Sequence, residues 1–412
     1  MREHGSRLIL RTNQFEPTII QRAEGCWLQT TDSDRYLDME SGIWCCSLGH
    51  NHPMVSAAAV AQMGRIVHLG PAFLAQATIE AAEALSRLTG GRLNRVVFLS
   101  SGSEAMEMAI NLVRQATGRQ MLIGFDQGYL GAFGSAAEAS GPTSTAKCMK
   151  VPTPDCLRCP VGATPTTCGE PCIDPARHLI NQSAHEVAAL VIEPILASAG
   201  VIIPPAGYMR KLGALAEEAG VLLVVDEVTT GLGRTGRWFA HQHYYLQPDV
   251  IVLSKALGNG FPIAAVLCSA DLEAQVVEKG FRYTQSHQSD PFGCAIANEV
   301  LRVIAGEGLI EISEKVGEQF KKAISTLSAD FPQVREVRGR GLMIGLEFAD
   351  HDGRAAEDLA RKAQVKLRER RVVVGLSRLH PVLRLLPPLI IGEGERILFL
   401  QALELALRDL RS

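Results

Sequence analysis

The chain has 412 residues, 47% of them hydrophobic and 21% charged, with a net charge of −3. That length supports one large unit and a smaller one, each with its own core. Near-neutral charge without a run of five like charges argues against a nucleic-acid or membrane-surface partner, and no apolar run reaches membrane-spanning length.

The N-terminal stretch MREHGSRLILRTNQFEP is broken by charges, so neither a signal peptide nor a membrane anchor is expected, and the protein reads as soluble and cytoplasmic. The first fifty residues look strand-rich. Six apolar runs then follow: RVVFL (95–99), MLIGF (121–125), ALVIEP (189–194), VLLVVDE (221–227), DVIVLSK (249–255) and IAAVLCS (263–269). They are continuous rather than alternating, the pattern of strands buried on both faces. Between them lie helical stretches. SEAMEMAINLVRQATG sets Ala105, Met108, Ala109, Leu112 and Val113 on one face, and AGYMRKLGALAEEAG ends at a stop signal, Gly220. Strand and helix alternate, which predicts an α/β fold with a mainly parallel sheet covered on both faces. After residue 305 the character changes to a long amphipathic helix, short strands within 334–348, 371–377 and 382–391, and helices near 354–370 and 393–410. The expected division is a segment 1–60 packing with the small domain, a large domain 61–305, and a small α+β domain 306–412.

Ten cysteines are present, four of them in CLRCPVGATPTTCGEPC: Cys156, Cys159, Cys168 and Cys172. The second pair lacks the C-x-x-C spacing of a zinc ribbon, so the reading is a loop of reduced thiols, with a metal or disulfide as the alternative. No metal is expected. Cys45 and Cys46 read as small core residues.

In open α/β sheets, ligands sit beyond the carboxyl ends of the strands. The residues there are Ser101, Gly102 and Ser103, then Glu193, Asp226 and Lys255. Gly102 and Ser103 stand where a strand turns into a helix, and free N–H groups at a helix start bind phosphate. The plain alternative is that Ser103 caps its own helix. Asp226 ends a strongly apolar strand, where a carboxylate is costly without a partner or serves only to cap a loop. Lys255 ends another, and desolvation there frees its amine as a nucleophile toward an aldehyde. A phosphate cradle, a buried acid and a buried amine together suit pyridoxal 5′-phosphate (PLP). The lysine would form the Schiff base, and the acid would keep the pyridine nitrogen protonated. GLGRTG (231–236) spells G-x-G-x-x-G, but four residues separate it from Asp226 and no helix starts within it, so it reads as a loop rather than a dinucleotide fingerprint.

The stretch LLVVDEVTTGLGRTGRWFAHQHYYLQPDVIVLSKALGNGFPIAAVL resembles the class III aminotransferases of the fold-type I PLP enzymes, and the resemblance covers nearly the whole chain. It implies a mainly parallel sheet of the seven-stranded type with helices on both faces, plus a smaller α+β domain. It also implies that Asp226 meets the pyridine nitrogen, Lys255 carries the cofactor, and Ser101, Gly102 and Ser103 hold its phosphate. Tyr129 would stack on the ring, with Leu130 where the family has His, and Val228 would lie behind it. Ser286 would reach the partner subunit's phosphate in a homodimer with a shared active site, or a tetramer built from such dimers. Arg384 matches the arginine that grips an α-carboxylate, Glu193 matches a glutamate near that arginine, and Ile43 and Trp44 help shape the pocket. FEPTIIQRAEG, EPILASAGVIIPPAGYM and SHQSDP also resemble the dialkylglycine decarboxylases. Those enzymes place a glutamine at the position of Ile43, and bind an alkali ion near the aspartate matching Asp290. Pro71 replaces one of its other ligand positions, so that ion is not expected. The expected activity is transfer of an amino group from an amino acid or amine to a keto acid such as pyruvate. The alternatives are a decarboxylating transaminase, a racemase or aminomutase, a nicotinamide-dependent oxidoreductase, and a non-catalytic scaffold.

Overall fold

The computed structural model describes residues 9, 10, 12, 18–163 and 168–410. Most of the charged N-terminal stretch read above lies outside the described residues. Three sheets organise the chain. Strands β1 (Ile20–Glu24), β2 (Trp27–Thr30) and β3 (Arg35–Asp38) form an antiparallel meander. The central sheet holds β4 (Arg95–Leu99), β5 (Met121–Phe125), β6 (Cys148–Val151), β7 (Val187–Ile192), β8 (Leu222–Asp226), β9 (Val250–Leu253) and β10 (Ala264–Cys268). Its seven strands run in the order β4-β10-β9-β8-β7-β5-β6. All neighbours are parallel except β10, which is antiparallel to both β4 and β9. The C-terminal part adds β11 (Val334–Arg340), β12 (Met343–Phe348), β13 (Val372–Val373), β14 (Gly375–Leu376) and β15 (Val382–Leu385). Four of these make a third sheet, β11-β12-β15-β14, while β13 pairs in parallel with β3 and so joins the two ends of the chain.

The continuous apolar runs are explained by burial on both faces. Along β7, Ala189 and Val191 belong to one core cluster and Leu190 and Ile192 to another. The helix Gly102–Thr117 covers the first face with Ala105, Met108, Ala109, Leu112 and Val113. Helix Ala206–Glu218 covers the second with Tyr208, Met209 and Leu212. Each Met, Leu or Val among them contributes about 1.5–3 kcal/mol on leaving water, and each alanine about 0.8 kcal/mol. All six expected strands exist, β4 and β5 with the bounds read from the sequence and the other four with ends shifted by one or two residues. β6 was not expected. It lies at the sheet edge, and its half-buried centre, Met149 and Lys150, breaks the apolar run. Among the described residues, no helix is long and apolar enough to cross a membrane.

GLGRTG is a loop without a helix, as read from the sequence. Gly236 has φ +82°, and a Cβ there would stand 2.7 Å from Glu314 Cβ, so the glycine lets the loop lie against helix Leu309–Ser328. The loop's arginine is its anchor. Arg234 is 2% exposed and donates to Ser47 Oγ at 3.0 Å, to Leu342 O at 3.3 Å and to Pro387 O. It thus ties together the N-terminal segment, the turn before β12 and the strand end after β15. Burial pushes its pKa down to about 9, which leaves it protonated at neutral pH.

Arg234→Ala leaves buried carbonyls without a donor and should cost about 3 kcal/mol. The exposed neighbour Arg237, paired with the exposed Glu314, should change stability by no more than about 0.5 kcal/mol when replaced by Ala. Urea unfolding midpoints of the two variants against the parent check this.

Candidate active site

The carboxyl ends of β4, β8 and β9 open into one cavity of about 810 Å³. Its walls include Ser101, Gly102, Ser103, Tyr129, Asp226, Val228 and Lys255 from the central unit, and Ile43, Trp44 and Arg384 from outside it. Ten of the twelve residues singled out in the sequence therefore share one space. Glu193 and Ser286 do not line it.

The phosphate-type end is built by a helix start. Ser101, not Ser103, is the N-cap, and its hydroxyl accepts from Glu104 N–H at 3.3 Å. Ser103 Oγ instead accepts from Ala132 N–H at 3.0 Å, tying the helix to the loop that carries Tyr129. Gly102 packs against the cavity floor: a Cβ there would lie 3.1 Å from Val228 Cγ1 and 3.4 Å from Ser254 Cβ. The first-turn N–H groups of a helix have no intrahelical acceptor and carry the positive end of its dipole.

Asp226 is the last residue of β8 and 6% exposed. Its Oδ1 accepts from Val228 N–H at 2.8 Å. Burial pushes its carboxyl up from 3.8 to about 7, against the pull of that N–H and of Lys255. Lys255 follows β9 and holds the left-handed conformation at φ +36°. Its Nζ donates to Thr229 Oγ1 at 2.8 Å and lies 5.1 Å from the Trp44 ring centroid. Burial lowers the Lys255 pKa, with Asp226 opposing. Thr229 escaped the sequence reading, although it sits in the quoted VDEVTTG motif.

Glu193 corrects one expectation. It follows β7 at the same sheet edge as Asp226, and its Oε1 accepts from Tyr129 N–H at 2.8 Å. Burial and then the Asp226 charge raise its carboxyl from 4.5 to about 8. The acid beside Arg384 is Glu40, whose Oε1 lies 3.7 Å from Arg384 Nη2. The physical reason is topological: Arg384 is carried by β15 in the third sheet, which faces the turn after β3. The Arg384 guanidinium also lies 4.7 Å from the centroid of the Trp44 ring. Neither Arg384 Nε nor Glu40 Oε1 has a hydrogen-bond partner among the described residues, so both ends of this pair are under-satisfied. Burial lowers the Arg384 pKa and raises that of Glu40.

Ile43 and Trp44 reach the cavity on a left-handed turn. Ser41, Gly42, Ile43 and Trp44 have φ of 43°, 61°, 55° and 73°. Such backbone costs about 1–2 kcal/mol per non-glycine residue. Asp38 holds it, accepting from Glu40 N–H at 2.9 Å and Gly42 N–H at 2.8 Å, while Ser41 Oγ donates to Leu386 O at 2.7 Å. Cys46 is a buried core residue as expected, but the same turn carries Cys45 into the cavity wall. Ser286 is exposed on the turn before helix Pro291–Gly306.

The donor set fits PLP. A carboxyl pushed up by burial is drawn back down by a cationic ring nitrogen, and a buried amine of lowered pKa suits attachment to an aldehyde. The glycine-floored helix start suits the phosphate.

The comparisons agree with this chemistry. The family whose profile matches residues 10–407 is described as aminotransferase class-III. Acetylornithine aminotransferase of Methanopyrus kandleri is 34% identical over 92% of this chain and 91% of its own length. Leucine/methionine racemase of Thermococcus litoralis is 30% identical over 99% of this chain and 95% of its own. An amine transaminase from an uncultivated Pseudomonas species, solved in its PLP-bound form, superposes with a TM-score of 0.90 at 27% identity, over 97% and 98% of the two chains. The chain belongs to the class-III aminotransferases.

Proposed function

We propose that this PLP-dependent aminotransferase acts at the 810 Å³ cavity, taking an amino group from an amino acid or amine and giving it to a keto acid such as pyruvate. The observation that carries the reading is a buried acid and a buried amine in the same cavity that make no ion pair with one another. The amine bonds Thr229 instead, and among the described residues no Asp226–Lys255 pair comes within salt-bridge distance. A heterocycle held in that cavity can meet both groups.

In this reading Lys255 attaches the cofactor, Asp226 faces its ring nitrogen, and Gly102 and Ser103 take the phosphate beside the Ser101 cap. Tyr129 and Val228 flank the ring, and Glu193 fixes the Tyr129 backbone. When bound, the cofactor supplies an electron sink for the bonds at the donor's Cα. Lys255 Nζ, whose pKa burial lowers, would take the proton from that Cα and deliver it to the cofactor's C4′ carbon, and would carry one back from C4′ to Cα when the keto acid is aminated. Trp44, buried beside the Lys255 amine, excludes water from the reacting face. Arg384 receives a substrate carboxylate through its planar fork, displacing Glu40. With a donor that lacks a carboxylate, Glu40 neutralises the guanidinium.

Several wider features belong to the same reading. The chain divides into a large unit of 61–305 and a smaller one of 306–412 with residues 1–60 packed on it, supported by the β3–β13 pairing. It works as a homodimer, or a tetramer of such dimers, with Ser286 reaching the partner's phosphate. The exposed Phe73 and Leu74, at 71% and 78%, support a covered apolar face. A cytoplasmic location is supported by the ten cysteines, all unpaired.

Borohydride reduction of the purified yellow holoenzyme should fix the cofactor on the peptide containing Lys255, as read by mass spectrometry. Attachment elsewhere, or none, would overturn the assignment. Asp226→Asn should lower kcat by about a hundredfold or more.

Glu40→Gln strips Arg384 of the acid beside it, so substrates that bring their own carboxylate gain. The ratio of kcat/KM for alanine over isopropylamine should rise about tenfold, equivalent to about 1.4 kcal/mol. An unchanged ratio would remove Glu40 from substrate selection.

The raised carboxyl groups of Glu193, about 8, and Asp226, about 7, make the folded cofactor-free protein bind protons that the unfolded chain releases near pH 4. Stability of that form should therefore fall as pH rises from about 4 to about 8. Glu193→Gln should flatten the fall, measured by thermal melts of cofactor-stripped protein across that range.

A further inference from the structure

A second cluster of chemistry-bearing side chains lies outside the catalytic residues. Asp290 is the N-cap of helix Pro291–Gly306, with its side chain 16% exposed. Its Oδ1 meets His68 Nδ1 at 2.7 Å, and its Oδ2 meets His287 Nδ1 at 2.6 Å. The two imidazole centroids are 5.0 Å apart. Donor atoms of all three residues lie within 4.8 Å of one another. They line a cavity of about 370 Å³ whose far wall, Ser100 and Phe261 to Ile263, is also a wall of the catalytic cavity.

We propose that His68, His287 and Asp290 bind a divalent cation of the zinc, cobalt and nickel class. Two imidazole nitrogens and one carboxylate select such borderline ions over an alkali ion, which takes oxygen donors. The distances are close to those required. Around a tetrahedral ion with metal–ligand bonds of about 2.0–2.1 Å, neighbouring donors stand roughly 3.3 Å apart. Each imidazole therefore needs to retreat by only about 0.6 Å from its hydrogen-bonded position while losing the proton that an ion replaces. Three protein ligands leave a fourth position open toward the cavity, the arrangement of an accessible rather than a closed structural site.

The cluster is also held in place before any ion arrives. Ser289, between two of the ligands, keeps a left-handed φ of 59°. Its N–H donates to Phe98 O at 2.9 Å, its Oγ accepts from Phe98 N–H at 3.3 Å, and its carbonyl accepts from Thr78 Oγ1 at 3.0 Å. The turn is thereby fixed to β4, and Leu69 N–H donates to Asp290 Oδ1 at 3.4 Å from the His68 side. An ion here would clamp the segment around His68 to the turn that carries Ser286, next to the phosphate end of the active site. It would act by fixing that turn, without entering the amino-transfer chemistry.

The test uses the holoenzyme, washed with EDTA, its PLP retained and no substrate present. Calorimetric titration with zinc chloride should show one ion per chain. His68→Ala and His287→Ala should each weaken that binding at least about tenfold, while their cofactor absorbance and far-UV circular dichroism stay at the parent's values. Cobalt bound at the same site should show ligand-field bands without thiolate charge-transfer absorption, and Cys156→Ser should leave the titration unchanged. Binding that persists in both histidine variants, that is lost in Cys156→Ser, or that is absent in the parent would overturn the proposal and leave the three residues as a hydrogen-bonded cluster at the helix start. Because binding is read directly, that failure would leave the aminotransferase reading untouched.

Discussion

The structure depends on a buried acid and a buried amine that neighbouring strands bring to one cavity without an ion pair between them. In the β8–β9 ladder Asp226 stands opposite Val252, three residues before Lys255. β9 ends at Leu253, and Lys255 opens the short helical turn that follows it. Lys255 then adopts a left-handed backbone, and its amine settles on Thr229 instead of the carboxylate. Two groups that would collapse onto one another in most interiors are thus presented to the same space. Burial pushes each toward its neutral form. A ligand with a basic nitrogen at one end and an aldehyde at the other satisfies both, which is why the fold and the cofactor suit each other.

The substrate side is built by different means. The central sheet supplies the cofactor end, whereas Ile43, Trp44 and Arg384 come from the two outer sheets and their connections. Their placement rests on Asp38, whose carboxylate accepts two backbone N–H groups and meets His50 Nε2 at 2.8 Å. That contact raises the His50 pKa to about 9, which keeps the imidazole in its charged form at neutral pH. Arg234 performs the matching task on the far side, gathering Ser47, Leu342 and Pro387 around one guanidinium. The glycines of GLGRTG therefore serve to bring a buried arginine to a three-way junction. Glu227, next to Asp226, is likewise structural: it accepts from Ala240 N–H and His241 N–H at 3.0 and 2.8 Å.

Much of this was legible in the sequence because burial on both faces writes a continuous apolar run. The six runs marked their strands, and the polar residues ending them, Ser101, Asp226 and Lys255, marked the cavity. β6 was illegible because an edge strand with Lys150 in it has no such run. Glu40 was illegible for another reason. Its pairing with Arg384 joins residues 344 positions apart across two sheets, and nothing local in DMESGIW records it. The family pattern directed attention to Glu193, which is held by Tyr129 at the other end of the site. The left-handed run from Ser41 to Trp44 was equally hidden, since a β-branched residue such as Ile43 rarely adopts that conformation. It is imposed by Asp38 from outside the run.

The central claim is that Asp226, made reluctant to ionise by burial, regains its charge by keeping the cofactor's ring nitrogen protonated. The most direct measurement is the nitrogen-15 chemical shift of the ring in holoenzyme reconstituted with ring-labelled cofactor. The account predicts a protonated pyridinium signal at neutral pH that moves to the unprotonated position in Asp226→Ala. An unprotonated signal in the parent protein would contradict it.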